Sequence, residues 1–204
     1  VTARIPRWLI DVVETLALTL IAFFIIQNFV AQPYQVRQES MENSLQPGQY
    51  VLVDKLTPRW SSYERGDIVV LHPPDGWGDP SGTPFIKRVI GLPGDTVEIR
   101  SDGYVYVNGT RLDESAYTYL DQPTSALGDQ TSWTLGPDEL FVMGDHRVAS
   151  EDSRSFGPIK EASVIGRAFL RYWPVAAISI IARPTYPPGL SQTPGAALRA
   201  LAAE

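Results

Sequence analysis

An amine, a hydroxyl and a dense polar loop are the parts of this chain best suited to chemistry. Lys87 stands in Phe85-Ile86-Lys87-Arg88-Val89-Ile90, a run that reads as a strand. Alternate side chains of a strand share a face, so Phe85, Lys87 and Val89 point one way and Ile86, Arg88 and Ile90 the other. Each face carries one cation among apolar neighbours. A buried ammonium loses its proton more readily, because desolvation penalises the charged form, and the neutral amine can act as a general base. Strand periodicity alone favours a plainer reading, an edge strand whose Lys87 and Arg88 reach to solvent. Ser40 lies in the polar stretch Gln35-Val36-Arg37-Gln38-Glu39-Ser40-Met41. By itself it reads as a solvated hydroxyl or the cap of a short helical turn. The third feature is Met143-Gly144-Asp145-His146-Arg147-Val148-Ala149-Ser150-Glu151-Asp152-Ser153-Arg154. It follows an apolar strand and reads as a surface loop pinned by Asp–Arg pairs. A Ser/His/Asp triad through His146 and Asp145 is disfavoured, because adjacent residues cannot easily face each other as base and orienter.

The remaining composition narrows the chemistry. Cysteine is absent, which removes disulfides, thiolate catalysis and Cys-ligated zinc or iron–sulfur sites. His72 and His146 are the two histidines, and no His-Glu-x-x-His spacing occurs, so neither a metal nor another cofactor is expected. The formal net charge is −6 and no Lys/Arg run stands out, so nucleic acid is not an expected partner.

These residues need elements to hold them. Residues 8–30 read WLIDVVETLALTLIAFFIIQNFV, and no charge falls between Glu14 and Arg37. A bilayer-spanning helix needs ~20 mostly apolar residues. Residues 1–33 are therefore expected to form a membrane anchor, with Asp11 and Glu14 near an interface; a buried or surface-lying helix is the alternative. A cleaved secretory signal fits less well, since acidic residues lie near the start and no small-x-small site follows. Arg4 and Arg7 predict a cytoplasmic N-terminus, with the rest of the chain outside.

Beyond Tyr34 the texture changes. The chain holds 16 Gly and 17 Pro, which argues against a helical bundle and for many short strands. Candidate strands are Tyr50–Val53, Asp67–Leu71, Phe85–Ile90, Thr96–Arg100, Tyr104–Val107, Leu140–Met143 and Val164–Tyr172. Leu92-Pro93-Gly94-Asp95 suits a type II turn, and Ser101-Asp102-Gly103 and Asn108-Gly109 suit tight hairpin turns. His72–Thr83 and Asp113–Gln130 read as long loops. The expected organisation is an anchor over 1–33, one β-rich domain over 34–183, and a flexible tail over 184–204.

Taken in order, these segments resemble the bacterial type I signal peptidases (leader peptidases). Ser40-Met41-Glu42-Asn43-Ser44-Leu45 resembles the family's nucleophile box, Ser-Met-x-Pro-Thr-Leu. Arg65-Gly66-Asp67-Ile68-Val69-Val70 resembles the strand box that follows. Phe85 through Asp95 matches the general-base box almost fully, and Met143–Arg154 matches the last box. The resemblance covers residues ~10–174 and implies a mainly β, antiparallel fold with one N-terminal transmembrane helix and a site near the membrane surface. It implies Ser40 as nucleophile and Lys87 as general base, with Ser150 orienting the lysine amine. It also implies an Asp152–Arg154 structural pair and an Arg88–Asp145 pair bracing the site. The family's Pro is Asn43 here, its Thr is Ser44, and its Asn after Gly-Asp is His146. Where family members often place a Ser or Gly, two residues before the nucleophile, this chain has Gln38, whose amide is a candidate oxyanion donor beside the Ser40 N–H. Residues 113–130 are short beside the cap of some family members.

The implied reaction is removal of signal peptides from translocated preproteins at a bacterial plasma membrane. The expected partners are those preproteins, carrying small residues at −1 and −3, and membrane lipid. Two rival classes fit the same residues. A self-cleaving repressor also uses a Ser–Lys pair, and would cut within its own chain. A silent, membrane-tethered peptide-binding β-domain would cut nothing.

Overall fold

The N-terminal apolar run forms one helix, α1 (Arg7–Ile25), which continues through a wider helical turn over Ile26–Val30. The structure is a computed structural model that describes residues 6–56, 58, 60–74, 76–77, 82–187 and 190. At ~1.5 Å per residue, Arg7–Val30 is long enough for a hydrocarbon layer of about 30 Å. None of its side chains is buried against the rest of the protein. Thr15, Thr19 and Asn28 each donate to the carbonyl four residues back at 2.8 Å, which satisfies polar side chains locally within the apolar stretch. Arg4 lies outside the described residues.

The strands are β1 (Ala31–Gln35), β2 (Tyr50–Asp54), β3 (Ile68–Leu71), β4 (Phe85–Gly91), β5 (Thr96–Ile99) and β6 (Val105–Val107), then β7 (Thr110–Arg111), β8 (Ser132–Thr134), β9 (Glu139–Met143), β10 (Ile159–Lys160), β11 (Val164–Trp173) and β12 (Ser179–Ile180). A four-residue helix, α2 (Ser153–Phe156), follows β9. A large sheet has the order β1-β2-β11-β3-β4-β9-β10, with β12 on β11; a small one has the order β7-β6-β5-β8. Every pairing is antiparallel. The fold is thus the expected mainly β, antiparallel one with a single N-terminal apolar helix.

Each of the seven expected strands forms. The turns between them follow their residue types: Asp95 N–H bonds the Leu92 carbonyl at 3.0 Å, and Asn108 and Gly109 both take positive φ between β6 and β7. β1 carries no strand pattern in Ala-Gln-Pro-Tyr-Gln, yet it pairs with β2 from Ala31↔Asp54 to Gln35↔Tyr50. Its Pro33 is tolerated because β1 is a sheet edge, where a missing N–H breaks no ladder. The Lys55 N–H also bonds the Val30 carbonyl at 2.9 Å, so α1 emerges directly from that edge.

Three expectations change. β4 is not an edge: it lies between β3 and β9, and Lys87 and Arg88 are 1% and 3% exposed. Apolar clusters cover both faces of this part of the sheet, one with Val69, Phe85, Val89 and Val142, another with Ile68 and Val70. The stretch after β9 is not a surface loop, since Asp145, Arg147, Asp152 and Arg154 are all buried in ion pairs. The packed domain also runs past 183. Tyr186 and Leu190 join the core cluster that holds Ile90, Trp133 and Phe141, and the Leu190 carbonyl accepts from Arg65 Nε at 2.8 Å. Residues 188–189 and 191–204, with the Ala-rich end, lie outside the described residues.

Candidate active site

Ser40 sits in a one-turn 3-10 helix, Glu39–Met41. The turn is set by its apolar neighbours: Val36, Met41 and Leu45 are buried together with Val51, Val53 and Val70. Backbone bonds close the loop behind it, Val36 N–H to the Gln49 carbonyl and Gly48 N–H to the Val36 carbonyl, both at 2.8 Å. Ser40 is consequently 5% exposed, which replaces the solvated-linker reading. Its own carbonyl accepts from the His146 N–H at 3.1 Å.

Lys87 comes from the centre of the large sheet, paired with Val69 on β3. Burial lowers its ammonium from 10.5 to about 8, and the opposing pull of the nearby Asp152 carboxylate does not undo this. Ser40 and Lys87 line one cleft of about 420 Å³, together with Arg37, Gln38, Glu39, Phe85, Ala149 and Glu151. A groove of about 500 Å³ opens beside it between residues 33–41 and 83–86, and Ser40 lines it as well. Gln38 lies at the N-cap of the Ser40 turn, exposed, and borders both spaces.

Ser150 and Asp152 approach from the loop after β9. Ser150 Oγ donates to Asp152 Oδ2 at 2.7 Å, which leaves the hydroxyl oxygen able to accept. Asp152 also accepts from the Gly144 N–H at 3.0 Å and from Arg154 Nε and Nη2 at 2.8 and 2.9 Å. Burial alone would raise the Asp152 carboxyl, but Arg154, the Gly144 N–H and Lys87 outweigh it and hold it below its usual value. Gly144 has no room for a side chain: a Cβ there would fall against Ser150 and the Ser40 carbonyl. On the other face of β4, Arg88 pairs with both oxygens of Asp145 at 2.8 and 2.7 Å, and also holds the Gly66 carbonyl and Ser44 Oγ. Arg88–Asp145 and Asp152–Arg154 are thus both buried ion pairs, Gln38, Ser40 and Lys87 line the cleft, and Ser150 is bonded to Asp152.

One feature had no sequence signal. Arg147, 1% exposed, binds Glu114 in a bidentate pair at 3.0 and 2.5 Å, and also reaches Thr124 and the Gly144 carbonyl. Tyr117 extends this network, donating to Glu114 at 3.0 Å and stacking under Arg88, whose Cζ lies 4.2 Å from its ring centroid. The segment 113–124, read as loop or reduced cap, is thereby tied to the loop that carries Ser150. Glu114 lies 33 residues from Arg147 in a stretch rich in Asp and Ser, where nothing local marks it as buried.

A model of the family described as signal peptidase, peptidase S26, matches residues 9–173. A probable signal peptidase I-2 from Synechocystis is 36% identical over 180 residues, covering 85% of this chain and 77% of that relative. A signal peptidase I P from Bacillus subtilis subsp. natto is 34% identical over 179 residues, covering 83% and 92% respectively. A crystal structure of a signal peptidase I from Enterococcus faecalis V583 aligns at 34% identity over 52% of this chain and 97% of that one, with a TM-score of 0.41.

Proposed function

The chain belongs to the S26 signal peptidase family, a family of serine endopeptidases that remove signal peptides, and on that footing we propose that Ser40 and Lys87 are its catalytic dyad, held at a membrane by α1. The observation that carries this reading is the shared cleft of Ser40 and a buried Lys87 whose amine is brought down to about 8. Neutral Lys87 Nζ takes the Ser40 Oγ proton as Oγ attacks the carbonyl carbon of the scissile peptide bond. The Ser40 N–H and the Gln38 amide stabilise the resulting oxyanion. The protonated lysine returns the proton to the departing amine. It then removes a proton from the water that clears the acyl-enzyme. Ser150, donating to Asp152, offers its oxygen to the lysine amine and orients it.

The groove between residues 33–41 and 83–86 suits a substrate held as an added strand, with main-chain bonds for affinity and shallow pockets for small side chains at −1 and −3. A signal peptide is itself held in the bilayer, so a membrane-anchored enzyme meets it at raised effective concentration. The arrangement favours the catalytic reading over a silent peptide-binding domain, since a buried lysine is costly where nothing uses it.

A pH–rate profile tests the dyad. Cleavage of a preprotein under single-turnover conditions should rise with pH and level off above about 8. At pH 6 it should be about a hundredfold below the plateau, since the neutral fraction of one amine falls about tenfold for each pH unit below its pKa. A rate independent of pH between 6 and 9 would contradict the lysine base. The anchor is tested separately. The full chain should stay in membranes through an alkaline wash and leave them when residues 6–30 are deleted. A full chain soluble without detergent contradicts the spanning helix.

A further inference from the structure

Two departures from the family pattern, Asn43 and His146, meet at the turn that carries Ser40, and the mechanism above uses neither. His146 holds that turn at two points. Its backbone N–H donates to the Ser40 carbonyl at 3.1 Å, and its Nδ1 lies 3.0 Å from Oε2 of Glu42, two residues on. The imidazole is itself fixed, packed on the Tyr119 ring at 4.2 Å between centroids and 33° between planes. Its side chain and that of Glu42 are 13% and 19% exposed, so their pairing is not fully screened by water. Asn43 takes φ +84°, which a proline ring locked near −65° could not, and its Nδ2 donates to the Thr118 carbonyl at 3.2 Å. The Tyr119 N–H in turn bonds the Asp145 carbonyl at 3.1 Å. The Ser40 turn, the 144–147 loop and the 117–119 segment are thus cross-linked around one serine by two backbone bonds and by the side chains of Glu42, Asn43, Tyr119 and His146.

We propose that His146, Glu42 and Tyr119 form a brace that positions Ser40 for attack, with Asn43 closing the turn onto Thr118. A single 3-10 turn has few bonds of its own, here Glu42 N–H to the Glu39 carbonyl, with the Ser44 and Leu45 N–H groups both on the Met41 carbonyl. Its orientation therefore depends on what grips it from outside. A nucleophile displaced by about 1 Å can lose up to about a hundredfold in rate with substrate binding intact. These four are positioning residues that act through Ser40, and the inference rests on Ser40 being the nucleophile.

The test is a double-mutant cycle on the full chain in detergent, reading kcat and KM for a preprotein together with the melting temperature. His146→Ala and Glu42→Ala should each lower kcat about tenfold with KM within about twofold of wild type. The double variant should fall no further than His146→Ala, because both changes remove the same bond and His146→Ala already removes the Tyr119 contact. Single variants at wild-type kcat, or losses that multiply in the double variant, overturn the brace. If His146→Ala melts below the assay temperature, His146→Gln is compared with His146→Leu at matched melting temperature. The amide, which can still bond Glu42, should keep several-fold more kcat, and equal values overturn the proposal. Ser40→Ala is run alongside: wild-type cleavage by that variant would sink the nucleophile assignment rather than the brace.

Discussion

Lys87→Met should lower the rate of preprotein cleavage by about 10³-fold or more while leaving the protein folded. The methionine keeps the length and apolar stem of the side chain and removes the amine. The proton on Ser40 then has no acceptor, and a serine hydroxyl without a base is a weak nucleophile. The same substitution has a thermodynamic signature. Lys87 is 1% exposed and its ammonium is lowered from 10.5 to about 8. The folded state therefore sheds this proton more easily than the unfolded chain. Below pH 8 the buried charge costs on the order of 3 kcal/mol, and the cost fades as pH rises from about 8 to above 10. Lys87→Met should be more stable than wild type at pH 7 by an amount of that order, and the gain should shrink by pH 10. Equilibrium denaturation at both pH values checks this. An activity loss accompanied by destabilisation at pH 7 would mean that Lys87 serves packing rather than proton transfer.

Asp152→Ala should be the most damaging change to stability. It leaves the Arg154 guanidinium, 4% exposed, without its carboxylate, and strips an acceptor from the Gly144 N–H and Ser150 Oγ. Breaking a buried ion pair at one end costs about 3–5 kcal/mol, which lowers the melting temperature by roughly 6–20 °C in a domain of this size. The folded-state carboxyl lies below its unfolded value, so its contribution is fully present above about pH 4 and is lost as pH falls toward the folded value. The stability gap between wild type and Asp152→Ala should narrow on that acid side, which melting curves at pH 7 and pH 3 would read. A gap of equal size at both pH values contradicts a role for the Asp152 charge. Asp152→Asn, the milder change, removes a charge that raises the lysine, so its activity limb should move to lower pH.

The sequence and the fold differ in how legible they were, and the difference is physical. Seven strands carry apolar runs bounded by Gly, Pro, Asn or Asp, and each forms where that chemistry places it. β1 was invisible because an edge strand that begins where a helix ends needs no apolar alternation. The strand around Lys87 was legible, but its burial was not. One cation on each face looks like a solvent edge until β3 and β9 close on either side, and that pairing is long-range. Ser40 had no local signature beyond the order of the boxes around it. Arg88–Asp145 and Asp152–Arg154 were legible only through the family pattern. Arg147–Glu114 was not legible at all, because two distant residues with ordinary neighbours bury each other only once the loop is folded.

In the proposed mechanism Ser40 and Lys87 act as one unit. Its most direct test sets Ser40→Ala, Lys87→Met and the double variant beside wild type in single-turnover preprotein cleavage at pH 9. All three should fall to the same residual rate, about 10³-fold or more below wild type, because either change disables the same step. Wild-type cleavage by either single variant, or losses that multiply in the double variant, would contradict it.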